Sequence, residues 1–155
     1  MLNLDRTQTP GIYQMKIIGA ISESSDFTAK IENDVKELHV NCKAIVRINS
    51  MGITKWILFF RDLRKKGVKL KFFEVGVSVV NLCNFVSGMV EKDEVQSIAL
   101  PFFCENCNTE TEKFAAVDDL RATNFKLAPL TCPSCGQLTE FDGAEAHYFD
   151  FLTVD

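Results

Sequence analysis

The stretch from Lys43 to Val75, KAIVRINSMGITKWILFFRDLRKKGVKLKFFEV, decides the fold. It opens with Lys43 to Ile48, a β-branched run of low polarity, the pattern of a central strand buried on both faces. The chain then turns through Asn49-Ser50-Met51-Gly52, where Ser50 stands at the position of a helix N-cap. Beyond the turn, Ile53, Trp56, Ile57, Phe60 and Leu63 recur at helical spacing on one face. Arg61, Arg64, Lys65 and Lys66 gather towards the far end, and Gly67 supplies the stop. Lys69 to Val75 alternates loosely and reads as the next strand.

Working outward towards the N-terminus, two strands open the chain. The second, Ile12 to Ile21, places Tyr13, Met15 and Ile17 on one face and Gln14 and Lys16 on the other. Ser22 to Asp26 offers several capping residues, and Phe27, Ile31, Val35 and Leu38 then mark one face of a helix. Towards the C-terminus, Ser78 can cap a helix running through Phe85 to Val90, with Val79, Leu82, Val86 and Met89 inward. Gln96 to Phe103 reads as a last strand that leads straight into Cys104. Strands alternating with helices imply an α/β fold, a mixed sheet layered with helices.

The order of elements and the Asn49-Ser50-Met51-Gly52 junction together resemble the STAS domain of anti-sigma-factor antagonists. That family has a mostly buried strand ending in an Asp-Ser-Ser/Ala-Gly motif, followed by an amphipathic helix. The resemblance covers residues 1–102, the expected first domain. It implies that Ser50 is the residue a partner kinase phosphorylates and that Gly52 is the motif glycine. Asn49 stands where the family has aspartate, and Met51 where it has a small residue. The family's last helix is replaced here by residues 103–155.

That second segment carries two C-x2-C pairs, Cys104/Cys107 and Cys132/Cys135, 24 residues apart. Each pair can turn both sulfurs towards one ion, and two pairs complete the tetrahedral thiolate shell of a structural zinc site. Pro133 and Gly136 frame the second knuckle as in a zinc ribbon. One Zn2+ is expected, with no open position for a catalytic water. Two disulfides, a redox pair or an iron–sulfur centre are the competing readings, disfavoured in a reducing compartment for the first two. Cys42 and Cys83 sit among apolar neighbours and read as buried thiols.

Charge separates the two segments. Residues 1–102 hold 14 Lys and Arg against 11 Asp and Glu, whereas residues 103–155 hold 3 against 10. A segment so acidic repels a phosphate backbone, so the zinc segment is not expected to bind nucleic acid. Charged residues break every apolar run short of the roughly 18 residues of a membrane helix, and the first residues lack a signal-peptide pattern. A cytoplasmic protein is expected.

No catalytic constellation stands out. The two histidines, His39 and His147, have no nucleophile at a telling spacing, and Ser50 has Ile48, not glycine, two residues before it. A phosphate on Ser50 would meet the free N–H groups and positive end of a helix and would change the local charge by about −1.5 to −2. Met51 and Leu58 fall opposite the apolar face of the same helix and offer a small docking spot. The expectation is therefore a non-enzymatic signalling module that meets a protein partner, such as an anti-sigma kinase, through Asn49, Ser50, Met51, Gly52 and Leu58. The alternatives are a constitutive STAS-like scaffold without phosphorylation and a small-molecule-binding STAS-like sensor.

Overall fold

A computed structural model describes residues 1–27, 31–144 and 146–153. Four strands form the main sheet: β1 (Leu2–Arg6), β2 (Ile12–Ile17), β4 (Glu37–Asn41) and β6 (Lys69–Phe73), side by side in that order. β1 runs antiparallel to β2, and β2, β4 and β6 are mutually parallel. Past a break at Ile18, β3 (Gly19–Ile21) pairs in parallel with β5 (Ile45–Ile48) and prolongs the same two chain segments. The alternation seen in the sequence is real: Tyr13, Met15 and Ile17 are buried while Gln14 and Lys16 face solvent.

α1 (Ser50–Lys65) lies on the buried face of the sheet. Its inward stripe is Gly52, Trp56, Phe60 and Leu63. Trp56 and Phe60 are wholly buried, with ring centroids 4.8 Å apart, and Phe72 of β6 packs on both at 5.7 and 5.0 Å. The Trp56 indole N–H donates to the Met89 carbonyl at 2.8 Å, so the largest core side chain leaves no polar atom unpaired. Gly67, at φ 82°, ends the helix in a Schellman arrangement in which Val68 N–H donates to Leu63 O at 3.0 Å.

Four expectations are corrected here. Asn49, not Ser50, is the N-cap of α1: its side chain accepts from Gly52 N–H at 2.8 Å, leaving Ser50 as the first helical residue, exposed. The strand ending at this junction is not buried on both faces, since Val46 is 68% exposed and Arg47 is also outside. Its partner is β3 on one side, and an apolar run alone does not reveal such one-sided pairing. The helix expected from Phe27 to Leu38 is not formed at its C-terminal end, where Leu38 belongs to β4 between β2 and β6; residues 28–30 of that stretch lie outside the described residues. The apolar spacing there serves packing against α1 instead, Phe27 meeting Phe59 at 5.3 Å. Finally, α2 (Val77–Phe85) is capped at Gly76, not Ser78, and Val86 leaves it in extended conformation. Met89 still reaches the core, but from the turn after the helix.

β7 (Ser97–Cys104) continues the sheet and starts the C-terminal unit. Its beginning meets the end of β6 through parallel bridges, Phe72 to Val95 and Val75 to Ile98. It then forms the middle of an antiparallel sheet, flanked by β8 (Thr109–Ala116) and β9 (Glu140–Phe141). α3 (Val117–Ala122) follows β8, and a last turn, α4 (Asp150–Thr153), docks on α2. The Asn84 side chain clamps this docking: its amide donates to Tyr148 O at 2.9 Å and its carbonyl accepts from Phe151 N–H at 3.0 Å. The buried core therefore runs without a gap from β2 to Leu152. No helix among the described residues is long and apolar enough to cross a membrane.

Two measurable consequences arise from this packing. A Cβ on Gly52 would lie 2.4 Å from the Ile21 carbonyl oxygen and 2.7 Å from its carbon. Gly→Ala inside a helix ordinarily stabilises by up to about 1 kcal/mol. Gly52→Ala is instead expected to destabilise by about 1–3 kcal/mol in urea unfolding, because backbone must move to admit the methyl group. The second consequence concerns Tyr148, whose buried hydroxyl donates to Ala99 O at 2.5 Å. Burial pushes its phenol well above the ordinary value near 10. A raised pKa means that the associated stability is complete below the unfolded value and declines as pH climbs beyond it. Absorbance at 295 nm should therefore show Tyr148 ionising together with loss of structure above about pH 10, and not in an earlier, separate step.

Candidate metal centre

The two cysteine pairs occupy two tight turns at one end of the β8-β7-β9 sheet. β7 and β8 are paired to their very ends, with Cys104 opposite Thr109, so the first knuckle is the hairpin turn itself. Asn108 takes φ 54° to close it. The second knuckle is pinned by the bridge between Thr131 and Leu138, by Cys132 N–H donating to Gln137 O at 2.7 Å, and by Gly136 N–H donating to Cys132 O at 3.0 Å. Gly136 sits at φ 77°, a conformation that suits glycine.

These turns bring all four sulfurs within 4.8 Å of one another. Cys104 lies 3.4 Å from Cys135, and Cys107 3.6 Å from Cys132. An ion bonded to four thiolates at about 2.3 Å in tetrahedral geometry holds its sulfurs about 3.8 Å apart. The four residues fit such an ion, which would be held between the two knuckles. Cys104 and Cys132 are buried, Cys135 is partly so, and Cys107 faces solvent with its sulfur 2.9 Å from Thr109 Oγ1.

The backbone prepares the sulfurs for ligation. The Gln137 N–H, followed by the Asn106 side chain, stabilises the Cys135 thiolate and brings its pKa down to about 6. The amides of Cys135 and Ser134 lower that of Cys132. The Cys107 N–H also favours the Cys104 thiolate, but burial and the neighbouring Cys135 and Cys107 thiols push Cys104 up to about 11. Without an ion, then, the cluster keeps some of its protons; a cation in its midst would displace them. Asn106 and Gln137 were not singled out from the sequence. Nothing in residue type alone announces an amide aimed at sulfur.

The remaining candidate residues lie elsewhere. Cys42 and Cys83 are buried in the main core, and burial raises both thiols far above their ordinary range. His147 pairs with Asp150 at 3.0 Å and is not among the clustered ligands. Around the junction, Asn49 caps α1, Gly52 packs against Ile21, and Ser50 projects outward. Met51 and Leu58 are 55% and 49% exposed on the outer side of α1. Glu23 and Lys55, absent from the sequence reading, join this junction: Asn49 donates its amide to Glu23 Oε2 at 2.9 Å, and Lys55 Nζ donates to the Glu23 and Ser25 carbonyls. No protein-family model matches the chain, and no curated protein matches it.

Proposed function

We propose that this is a non-enzymatic, STAS-like signalling module that docks a protein partner at the start of α1 and is switched by phosphorylation of Ser50. Residues 1–102 carry that function in this reading. Residues 103–155 form a zinc-ribbon segment in which Cys104, Cys107, Cys132 and Cys135 hold one structural Zn2+, its thiolate-only donor set suiting zinc in a reducing cytoplasm. The partner is a signalling protein such as an anti-sigma kinase.

The observation that carries the reading is the outward Ser50 at the start of α1, on the side of the helix where Met51 and Leu58 are exposed. Because Asn49 does the capping, the Ser50 hydroxyl is not needed by the helix and stands free for modification. Met51 and Leu58 supply apolar contact on the same outer side. The first turn of α1 holds no acidic residue, so a negative charge at Ser50 would also suit the helix dipole.

The test follows from that last point. Ser50→Asp should fold at least as well as the parent, so its effect on binding can be interpreted directly. Candidate kinases would be incubated with the chain and a nucleoside triphosphate, and complexes measured with the parent, Ser50→Ala and Ser50→Asp. The proposal expects phosphate on Ser50, binding retained by Ser50→Ala, and binding lost by Ser50→Asp. Equal binding by all three, with no phosphate incorporated, would sink it.

A further inference from the structure

The loop from Ser22 to Phe27 lies along the N-terminal half of α1 and is tied there by charge as well as by packing. Glu23 is held by the Asn49 amide at 2.9 Å, and Lys55 Nζ donates to the main-chain carbonyls of Glu23 and, at 2.8 Å, of Ser25. The loop is braced internally by Ser22 N–H donating to Ser25 Oγ at 2.8 Å and by Ser25 N–H donating to Ser22 O at 3.1 Å. Its last aromatic, Phe27, meets Phe59 edge-on. Ser24, Ser25 and Phe27 thereby border one shallow depression together with Leu58 and Phe59.

One anchor of this loop, the Asn49 amide on Glu23, belongs to the residue next to Ser50. The Asn49 amide, then Glu23's own backbone, and also Lys55 hold the Glu23 carboxyl below the usual range, so it is an anion at neutral pH. Ser50 directly follows Asn49 in the chain. A phosphate ester there sets a charge of about −2 beside the residue that holds Glu23. Two effects act in the same direction. The phosphate repels the Glu23 carboxylate, and it attracts the Lys55 ammonium away from the two loop carbonyls.

We propose that the loop from Ser22 to Phe27 is a latch closed on α1 by Glu23 and Lys55, and that a phosphate on Ser50 opens it to uncover Phe59 beside the already exposed Leu58. This rests on the reading of Ser50 as the modified residue. In the modifying step the Ser50 Oγ bonds to the terminal phosphorus of a nucleoside triphosphate supplied by the kinase. The bond from that phosphorus to the bridging oxygen breaks, the nucleoside diphosphate leaves, and the hydroxyl proton passes to a base of the kinase. The partner would then meet different α1 surfaces before and after modification, which makes the latch the link between charge at Ser50 and apolar surface at Phe59.

Phosphoserine placed at position 50 during translation tests the latch with no kinase involved. Hydrogen exchange would be followed on the full chain with and without it. Amides of Ser22 and Ser25 are expected to exchange about tenfold faster or more in the phosphorylated chain, while those of β2 and β4 stay unchanged. In a Glu23→Gln background, which keeps a side chain able to accept from Asn49 but removes the charge, phosphoserine should accelerate exchange much less. Unchanged protection in the phosphorylated chain would overturn the proposal, as would equal acceleration in the Glu23→Gln background. Ser50→Asp gives a second reading of the same exchange if the phosphorylated chain is poorly produced, with a smaller acceleration expected and none overturning the latch. Failure here leaves the kinase and partner test of Ser50 standing, so the two ideas fall separately.

Discussion

Stripping the metal with a strong chelator is expected to unfold the second knuckle and the chain around it, and not to leave a folded, metal-free ribbon. The second knuckle is held to the rest of the chain by few main-chain bonds, those of the two-residue β9 and the bridge from Thr131 to Leu138, whereas the first closes the long β7–β8 hairpin. Their sulfurs, brought within 4.8 Å, repel once ionised unless a cation lies among them. Binding of structural zinc contributes on the order of 10 kcal/mol or more in small zinc domains, and here that energy would be folding energy. Elemental mass spectrometry should find one zinc per chain, and Cys132→Ser should abolish it. Cys42→Ala, which alters a thiol of the main core, should leave the metal content intact. Limited proteolysis after chelation should cut around the second knuckle first, within residues 126–139. A chain that binds no metal with its thiols free, or one whose chelated form resists protease as before, would remove the metal centre from the account.

Trp56→Ala is expected to cost about 3–5 kcal/mol, the largest loss from any single side chain of the main core. Trp56 is fully buried between Phe60 and Phe72 and joins α1 to the sheet. Truncation would also leave the Met89 carbonyl without its 2.8 Å donor, in a part of the chain that has no regular structure to supply another. Trp56→Phe separates the two contributions, since it keeps an aromatic ring and loses the N–H; about 1–3 kcal/mol is expected for it. The chain has one tryptophan, so both variants must be followed by circular dichroism in urea, not by fluorescence. A loss below 1 kcal/mol for Trp56→Ala would mean that the core repacks around the gap and that α1 is not held where its aromatic stripe suggests.

The parts of the molecule that could be read directly are those whose cause is local. Cys104/Cys107 and Cys132/Cys135 announce their turns because a two-residue spacer is itself the knuckle. The stripe of Trp56, Phe60 and Leu63 and the alternation of Tyr13, Met15 and Ile17 are periodicities of one helix and one strand. Phe27, Ile31, Val35 and Leu38 show where periodicity misleads. Leu38 has an equally apolar role in a strand, and pairing of β4 with both β2 and β6 outweighs whatever helical preference the stretch has. The choice of cap was also close. Asn49 and Ser50 are both good N-caps, and the structure uses Asn49, whose side chain accepts from Gly52 N–H while its own N–H donates to Ile21 O at 3.1 Å.

By itself, then, the sequence determined that strands and helices alternate from β5 to β7, that one amphipathic helix follows a short apolar strand, and that four thiols come as two ready-made turns. Each of these depends on neighbours a few residues away, which the order of residues states outright. The tertiary structure brings together the four sulfurs that the two pairs announced, and it alone decided that β7 serves both the main sheet and the cysteine unit and that Glu23 and Lys55 close a loop over the start of α1. The contacts that tie β7 to β6 and the loop to α1 join residues about 23 to 30 positions apart along the chain. Such pairs gain their energy only after the chain has folded back on itself, so no local pattern records them.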